Sequence, residues 1–220
     1  VNRSARTGDK EAQKLQTILV AIKEGLEQAK NVRELDFAEK DREEVIKGLQ
    51  LISDKRVLYV CNVSENDAVS GNAMVEKVEA IAATEGAEVI TLAVSIEADI
   101  NELETFEERF VFLEDLGLSE PGAAKLIRKA YALLEQQTYF TAGEKEVRAW
   151  TIPMGATAPQ AAGVIHTDFE KGFIRAEVIS YSDYEQYKTE AKVKEAGKMR
   201  IEGKDYIVQD GDVMHFRFNV

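Results

Sequence analysis

The stretch Arg56-Val57-Leu58-Tyr59-Val60-Cys61-Asn62-Val63-Ser64-Glu65 decides how this chain is read. Residues 56–61 form a short, nearly continuous apolar run, the pattern of a buried parallel strand. Asn62 to Glu65 break it with a polar loop. Residues 73–85 then take up helical spacing, with Met74, Val78, Ile81 and Ala82 expected on one face. Gly86 closes that helix, and residues 88–94 read as a second strand of the same kind. Helical segments follow at residues 107–116 and from Pro121-Gly122 to about Leu134. Strand, helix, strand, helix is the rhythm of an α/β parallel sheet. Two strands are few for such a sheet, so the rest of it is expected from sequence outside these 220 residues.

Toward the N-terminus, residues 9–30 carry Ala12, Leu15, Leu19, Ile22, Leu26 and Ala29 at alternating steps of three and four. That spacing is the narrow seam of a coiled coil, and Gly8-Asp9 before it reads as a turn with an acidic N-cap. Such a seam needs a partner helix, from another chain or, as favoured here, from sequence ahead of Val1, a first residue that is not Met. A second helix is expected over residues 37–51. Toward the C-terminus the texture changes at Gln137. Residues 146–152 alternate as a half-buried strand does, Thr157 caps a short helix with Ala161, Ala162 and Ile165, and residues 173–179 form a strand. Residues 182–187 make a helical turn, and Tyr181, Tyr184 and Tyr187, at helical spacing, are expected in local packing rather than in base stacking. Residues 204–208 and 213–220 are expected to pair as a hairpin around Asp210-Gly211. This mixture suits a small α+β domain.

The chain has 28 Lys+Arg against 40 Asp+Glu, a formal charge of -12. That field opposes non-specific attraction to nucleic acid and argues against sequence-specific DNA binding. The acid is concentrated in residues 51–136, which hold 17 acidic and 7 basic side chains, while residues 137–220 hold 13 and 11. Both ends of the chain can therefore still present local basic faces to a polyanion. A single cysteine, Cys61, excludes an intrachain disulfide framework and suits a reducing compartment. No apolar run approaches the length of a membrane span.

Absences bound the chemistry. No G-x-x-x-x-G-K-[ST] occurs, since Gly197-Lys198 and Gly203-Lys204 are followed by Met199 and Asp205. No G-x-G-x-x-G occurs, and two histidines with one cysteine make no zinc set. The informative loop is Asn62-Val63-Ser64-Glu65, at the carboxyl end of a parallel strand, where such sheets bind ligands. In GTPases this position carries Asn-Lys-x-Asp, whose aspartate accepts from guanine's ring N–H and amine. Here Val63 and Glu65 replace the lysine and the aspartate. Asn62 can still meet the N7/N6 edge of adenine while Val63 packs on its ring. A plain chain reversal uses the same four residues. Ala93-Val94-Ser95-Ile96-Glu97 ends the next strand, where a loop backing the base contributes backbone N–H groups and shape; a plain strand end with a polar loop reads the same.

The loops Asn62–Glu65 and Ser95-Ile96-Glu97-Ala98-Asp99-Ile100, with Leu116-Gly117-Leu118 and residues 137–143, closely resemble the Obg-like ATPase (YchF) family. So do residues 146–152, the run 169–177, and Asp210-Gly211-Asp212-Val213. The likeness covers essentially the whole chain. It implies a P-loop NTPase of the translation-factor class that prefers ATP, cytoplasmic and associated with ribosomes or ribosomal RNA. It further implies that residues 1–36 are the returning half of a coiled-coil arm, 37–136 the C-terminal part of the G domain, and 137–220 a TGS domain of β-grasp (ubiquitin-like) fold. By resemblance, Asn62, Val63, Glu65, Ala93, Val94 and Ser95 hold adenine. ATP with Mg²⁺ is used by the intact protein, whose phosphate loop, magnesium ligand and catalytic residues lie ahead of Val1. Arg148, Lys171, Arg175, Lys198 and Arg200 are the candidate contacts to RNA or a protein partner. The alternative is a nucleotide-independent adaptor that binds RNA or the ribosome without catalysis.

Overall fold

The computed structural model describes residues 8–143 and 146–219. The chain divides into two compact units, Val1–Leu126 and Ile127–Val220. In the first, helix α1 (Lys10–Glu27) starts where Asp9 Oδ1 accepts the amides of Glu11 and Ala12 at 3.0 and 3.3 Å. The residues of α1 buried within the unit are Ile18, Ile22 and Gly25; of the expected seam, Ile22 is among them and Ala12, Leu15 and Leu19 are half-buried. Leu26 is 44% exposed, and Ala29 lies beyond the helix in the left-handed region. The chain doubles back at once through a 3₁₀ turn, Val32–Glu34. Leu35 then fills the space over Gly25, where a Cβ would stand 2.7 Å from its Cδ1. Ile18 and Ile22 pack with Val32 and Ile46 into a core flanked by Phe37, Val45 and Leu51.

Residues 39–49 are helical throughout, as α2 (Glu39–Asp41) continuing into a π-helical turn and a final 3₁₀ turn. Two arginines knit this segment together. Arg42 donates to the carbonyls of Leu35 and Arg33 and pairs with Asp54 at 3.3 Å. Arg33 meets Glu85 at 2.7 Å, and Tyr59 donates to the same Glu85 oxygen at 3.0 Å.

Strand β1 (Leu58–Asn62) pairs parallel with β2 (Glu88–Leu92) in the register Leu58↔Glu88 through Asn62↔Leu92. The crossover is α3 (Ala73–Glu85), capped by Asn72 and closed by Gly86 at φ 64°. Its inward face is Val75 and Ala82; of the face expected, Ala82 is buried and Val78 half-buried, while Met74, at 77% exposure, and Ile81 point outward. Val60 is also exposed, so β1 is covered on one side only among the described residues. Helical spacing fits several rotations, and the parallel crossover selects the one that lays Val75 and Ala82 inward. Residues 93–97 are not a strand end followed by a loop. Helix α4 (Val94–Glu102) starts directly after β2, with Ala93 at its N-cap. Two further helices follow, α5 (Phe106–Asp115), opened by a Thr105–Glu108 capping box, and α6 (Gly122–Leu133). Ala93, Ile96, Ile100 and Leu113 form a core flanked by Ala68, Phe112, Leu116 and Leu118.

The second unit contains β3 (Gln136–Ala142), β4 (Val147–Pro153), α7 (Ala158–Ile165), α8 (Thr167–Lys171) and β5 (Phe173–Ile179). It continues through α9 (Tyr181–Tyr187), α10 (Glu190–Glu195), β6 (Arg200–Glu202) and β7 (Val213–Phe218). The five strands form one mixed sheet in the order β4-β3-β7-β5-β6, with only the central β3–β7 pair parallel. The main core gathers Tyr139, Ile152, Val178, Met214 and Phe216 with the alanines of α7. A smaller cluster of Ile179, Val193 and Val213 takes in Tyr184 and Tyr187 on the opposite face.

The expected hairpin around Asp210-Gly211 does not form. Residues 204–208 make only an isolated bridge, Ile207 to Thr157, and β7 pairs with β5 and β3 instead. Strand β3 captures the turn. Thr138 donates its amide to Asp210 Oδ1 at 2.8 Å, and Gly211 donates to Thr138 O at 2.8 Å. Asp212, 2% exposed, accepts from the Gln209 amide and the Tyr206 hydroxyl at 2.9 and 2.7 Å. Those side-chain bonds leave 209–212 as a tight plug between strands rather than a free hairpin tip. Val220, included in the expected strand, lies outside the described residues.

Two measurements check this packing. Tyr139 is fully buried, its hydroxyl donates to Ala161 O at 2.9 Å, and burial pushes its acidity far down. Tyr139→Phe removes this buried bond and is expected to cost about 1 kcal/mol in urea denaturation. Arg33, and then Tyr59, hold the Glu85 carboxyl below its ordinary value of 4.5. The stabilisation from Glu85 is therefore complete at neutral pH and disappears as pH falls through that lowered value. Glu85→Gln is expected to flatten the acid side of a plot of urea midpoint against pH.

Candidate nucleotide-base site

Parallel strands end on the same side of their sheet, so the loops after Asn62 and Leu92 lie next to each other. The Val63 amide donates to Leu92 O at 3.0 Å, extending the ladder one step past β1. Asn62 Oδ1 accepts the Val94 amide at 3.1 Å, which is the first N–H of α4. That bond uses the acceptor of the Asn62 side chain and leaves its Nδ2 donor toward solvent, on an exposed residue. The free donor matches an acceptor such as a purine N7. Val63 is half-buried beside it. Val94, 55% exposed, and Ser95 stand in the first turn of α4, while Ala93 is buried. Asn62, Val63, Ala93, Val94 and Ser95 are thus brought into one pair of adjoining strand ends.

Glu65 is exposed and opens a single 3₁₀ turn, Glu65–Asp67. That turn is held by residues the sequence reading passed over. Asp67 accepts from Asn72 Nδ2 at 3.0 Å and from Ser64 Oγ at 2.9 Å, and those bonds hold its carboxyl below the usual range. Asn72 Oδ1 in turn caps α3 through the amides of Met74 and Val75. An Asn directly before a helical run was the available signal for that clasp.

Glu97 is the second residue missed as a site former. Its two oxygens accept the amides of Gly122 and Ala123, at 2.6 and 3.0 Å, at the start of α6. Gly122 has no room for a side chain, since a Cβ there would lie 2.7 Å from Leu92 Cβ. A cavity of about 130 Å³ opens beside this junction, lined in part by Thr91, Ala93, Glu97, Ser119 and Lys125. Asn62, Val63, Glu65 and Val94 do not line it. Among the described residues no group of three or more His, Cys, Asp or Glu is placed to hold a metal ion, and no helix is long and apolar enough to cross a membrane.

The five candidate cations do not converge. Arg148 stands on edge strand β4, its guanidinium 4.0 Å over the Trp150 ring and 3.9 Å from Glu146. Arg200 stands on the opposite edge strand, four strand spacings or roughly 19 Å across. It is engaged by Tyr206, Glu202 and Asp212. Arg175 lies opposite Arg217 in register, and both contribute to lowering the Glu177 carboxyl, Arg217 chiefly, through direct bonds. Lys171 ends α8, and Lys198 follows Gly197; both are exposed.

Removing the Glu97 carboxylate strips two amides at the start of α6 of their acceptor. Glu97→Ala is expected to lower stability by about 1–2 kcal/mol in urea denaturation, with Glu97→Gln recovering part of it.

Comparison with known proteins places this geometry in context. Residues 136–219 match the family profile YchF-GTPase_C, described as a protein of unknown function (DUF933). The chain is 54% identical over 220 residues to the ribosome-binding ATPase YchF of Pasteurella multocida, covering all of this chain and 60% of that protein. It is 50% identical to the Bacillus subtilis protein of the same name, again covering 60% of it. The solved structure of the Schizosaccharomyces pombe YchF GTPase superposes with a TM-score of 0.79 at 35% identity, over 94% of this chain and 55% of that one. The chain therefore spans about 60% of the length of these curated relatives, and over that span it belongs to the YchF family.

Proposed function

We propose that this chain is the base-reading part and appended domain of a cytoplasmic P-loop ATPase of the translation-factor class. In the intact protein it binds and hydrolyses ATP with Mg²⁺ and associates with ribosomes. Residues 1–36 then belong to a coiled-coil arm, 37–136 to the G domain, and 137–220 to a TGS domain of β-grasp fold. The exposed seam residue Leu26 and the sheet order β4-β3-β7-β5-β6 support the first and last of these assignments. The relatives' names differ on the nucleotide, ATPase in the bacteria and GTPase in the yeast, so the base must be argued from residues.

The observation that carries the reading is the Asn62 Oδ1 to Val94 N–H bond. It fixes two strand-end loops and turns one amide donor outward, while Glu65 stands where a guanine-reading aspartate would be. A longer side chain on an exposed 3₁₀ turn does not reproduce a short aspartate's paired acceptance of guanine's two donors, and adenine has no such donors to satisfy. Phosphate, magnesium and catalytic groups are supplied by the rest of the intact protein.

The second reading, a nucleotide-independent adaptor, is favoured by the charge distribution. Residues 137–220 are close to neutral, with 13 acidic and 11 basic side chains, whereas residues 51–136 hold 17 and 7. In that case the 220-residue chain alone co-sediments with ribosomes at low salt, weakening as salt rises.

Titrating the full-length protein with labelled ATP and GTP tests the first reading. The wild type is expected to bind ATP at least tenfold more tightly. The Val63→Lys/Glu65→Asp double variant is expected to narrow or reverse that ratio. Tighter GTP binding by the wild type would overturn the assignment.

A further inference from the structure

Helix α5 already has a complete inner face. Phe112, Leu113 and Leu116 pack into the cluster formed by Ala93, Ile96 and Ile100, and Arg109 donates from Nε and Nη2 to Leu103 O. Its outer face, which a surface helix normally makes polar, carries a second apolar stripe. Phe106 is 77% exposed, Phe110 58% and Val111 54%. Phe106 and Phe110 are one turn apart and so lie side by side. Two aromatic rings and a valine on one exposed helix face exceed the scattered apolar residues of an ordinary surface.

The surroundings define what fits there. Residues 97–120 hold nine acidic side chains and one basic, Arg109, whose guanidinium is already engaged. Glu107 and Glu114 share the outer face of α5 with the two phenylalanines, and Glu104 and Glu102 stand exposed just before it. A nucleic acid is repelled by this rim, and so is a second copy of a chain with a net charge of -12. A membrane surface, usually anionic, is repelled in the same way.

We infer that the outer face of α5 docks a cationic amphipathic helix of a protein partner. Its apolar stripe lies on Phe106, Phe110 and Val111, and its lysines or arginines face Glu107 and Glu114. Aromatic anchors supply the burial, and the acidic rim sets orientation and on-rate. If the partner is ribosomal, this deepens the ribosome-association reading and rests on it; the surface chemistry itself does not.

The test uses the full-length protein. Its probe is an 18-residue Leu/Lys peptide with helical amphipathic spacing, with a scrambled peptide of the same composition as control. Calorimetry should give at least tenfold tighter binding of the patterned peptide than the scramble. Phe106→Ser/Phe110→Ser should weaken it at least tenfold, and Glu107→Gln/Glu114→Gln about threefold with a shallower salt dependence. Equal binding of the two peptides, or full binding by the phenylalanine variant with an unchanged melting temperature, would sink the inference. So would a fall in melting temperature of that variant without loss of peptide affinity, which would make the stripe part of the protein's own packing.

On ribosomes, wild-type co-sedimentation is the control for the parent reading. If the wild type sediments, benzoylphenylalanine at position 110 should crosslink to a ribosomal protein; crosslinking to RNA alone would overturn the assignment. If the wild type does not sediment, the ribosome reading fails, and the peptide titration decides the docking face by itself.

Discussion

Much of the first unit follows from a single constraint: backbone groups at the carboxyl ends of two parallel strands must find partners once the ladder stops. β1 and β2 end together at Asn62 and Leu92. Val63 takes one more ladder bond, after which side chains supply the acceptors. Asn62 caps the start of α4, and Glu97, one turn into α4, caps the start of α6. The start of α4 is thus anchored by the end of β1, and the start of α6 by α4.

The second unit meets the same constraint differently. Its sheet closes on a parallel pair at the centre, β3 against β7, and residues 209–212 form the plug that starts β7. Asp210 and Asp212 both spend their carboxylates inside this plug, as acceptors for Thr138, Gln209 and Tyr206. Acidic residues that read as surface charge are therefore partly structural. The same holds for the cations: Arg200 and Arg217 are matched to carboxylates on their own sheet. A domain that is near-neutral by count thus offers fewer free charges than its composition implies. Any contact with a polyanion rests on few residues, and such contacts weaken steeply with salt.

The contrast between the two units bears on partners. The first concentrates acid around an exposed aromatic stripe on α5, while the second scatters cations around the edges of a sheet. Surfaces so different suit different chemistries, protein helices on one and phosphate or mixed contacts on the other. Nothing requires one partner to satisfy both.

The sequence by itself determined the local grammar. Asp9 and Thr157 announce helix starts, and Gly86 announces a helix end, because capping is decided within a few residues. The apolar runs at residues 56–61 and 88–94 announce parallel strands, and the polar loop Asn62–Glu65 announces the break after the first. What only the tertiary structure decided is which face and which partner each element takes. Ile18 rather than Leu26 is buried in α1 because Leu35 returns over Gly25. Val75 rather than Met74 turns inward in α3 because the crossover must lie on the sheet. Residues 93–97 become helix because Asn62 and Gly122, 32 and 25 positions away, supply the hydrogen-bond partners. Periodicity allows several rotations and pairings of nearly equal local energy; long-range packing and hydrogen-bond completion select among them.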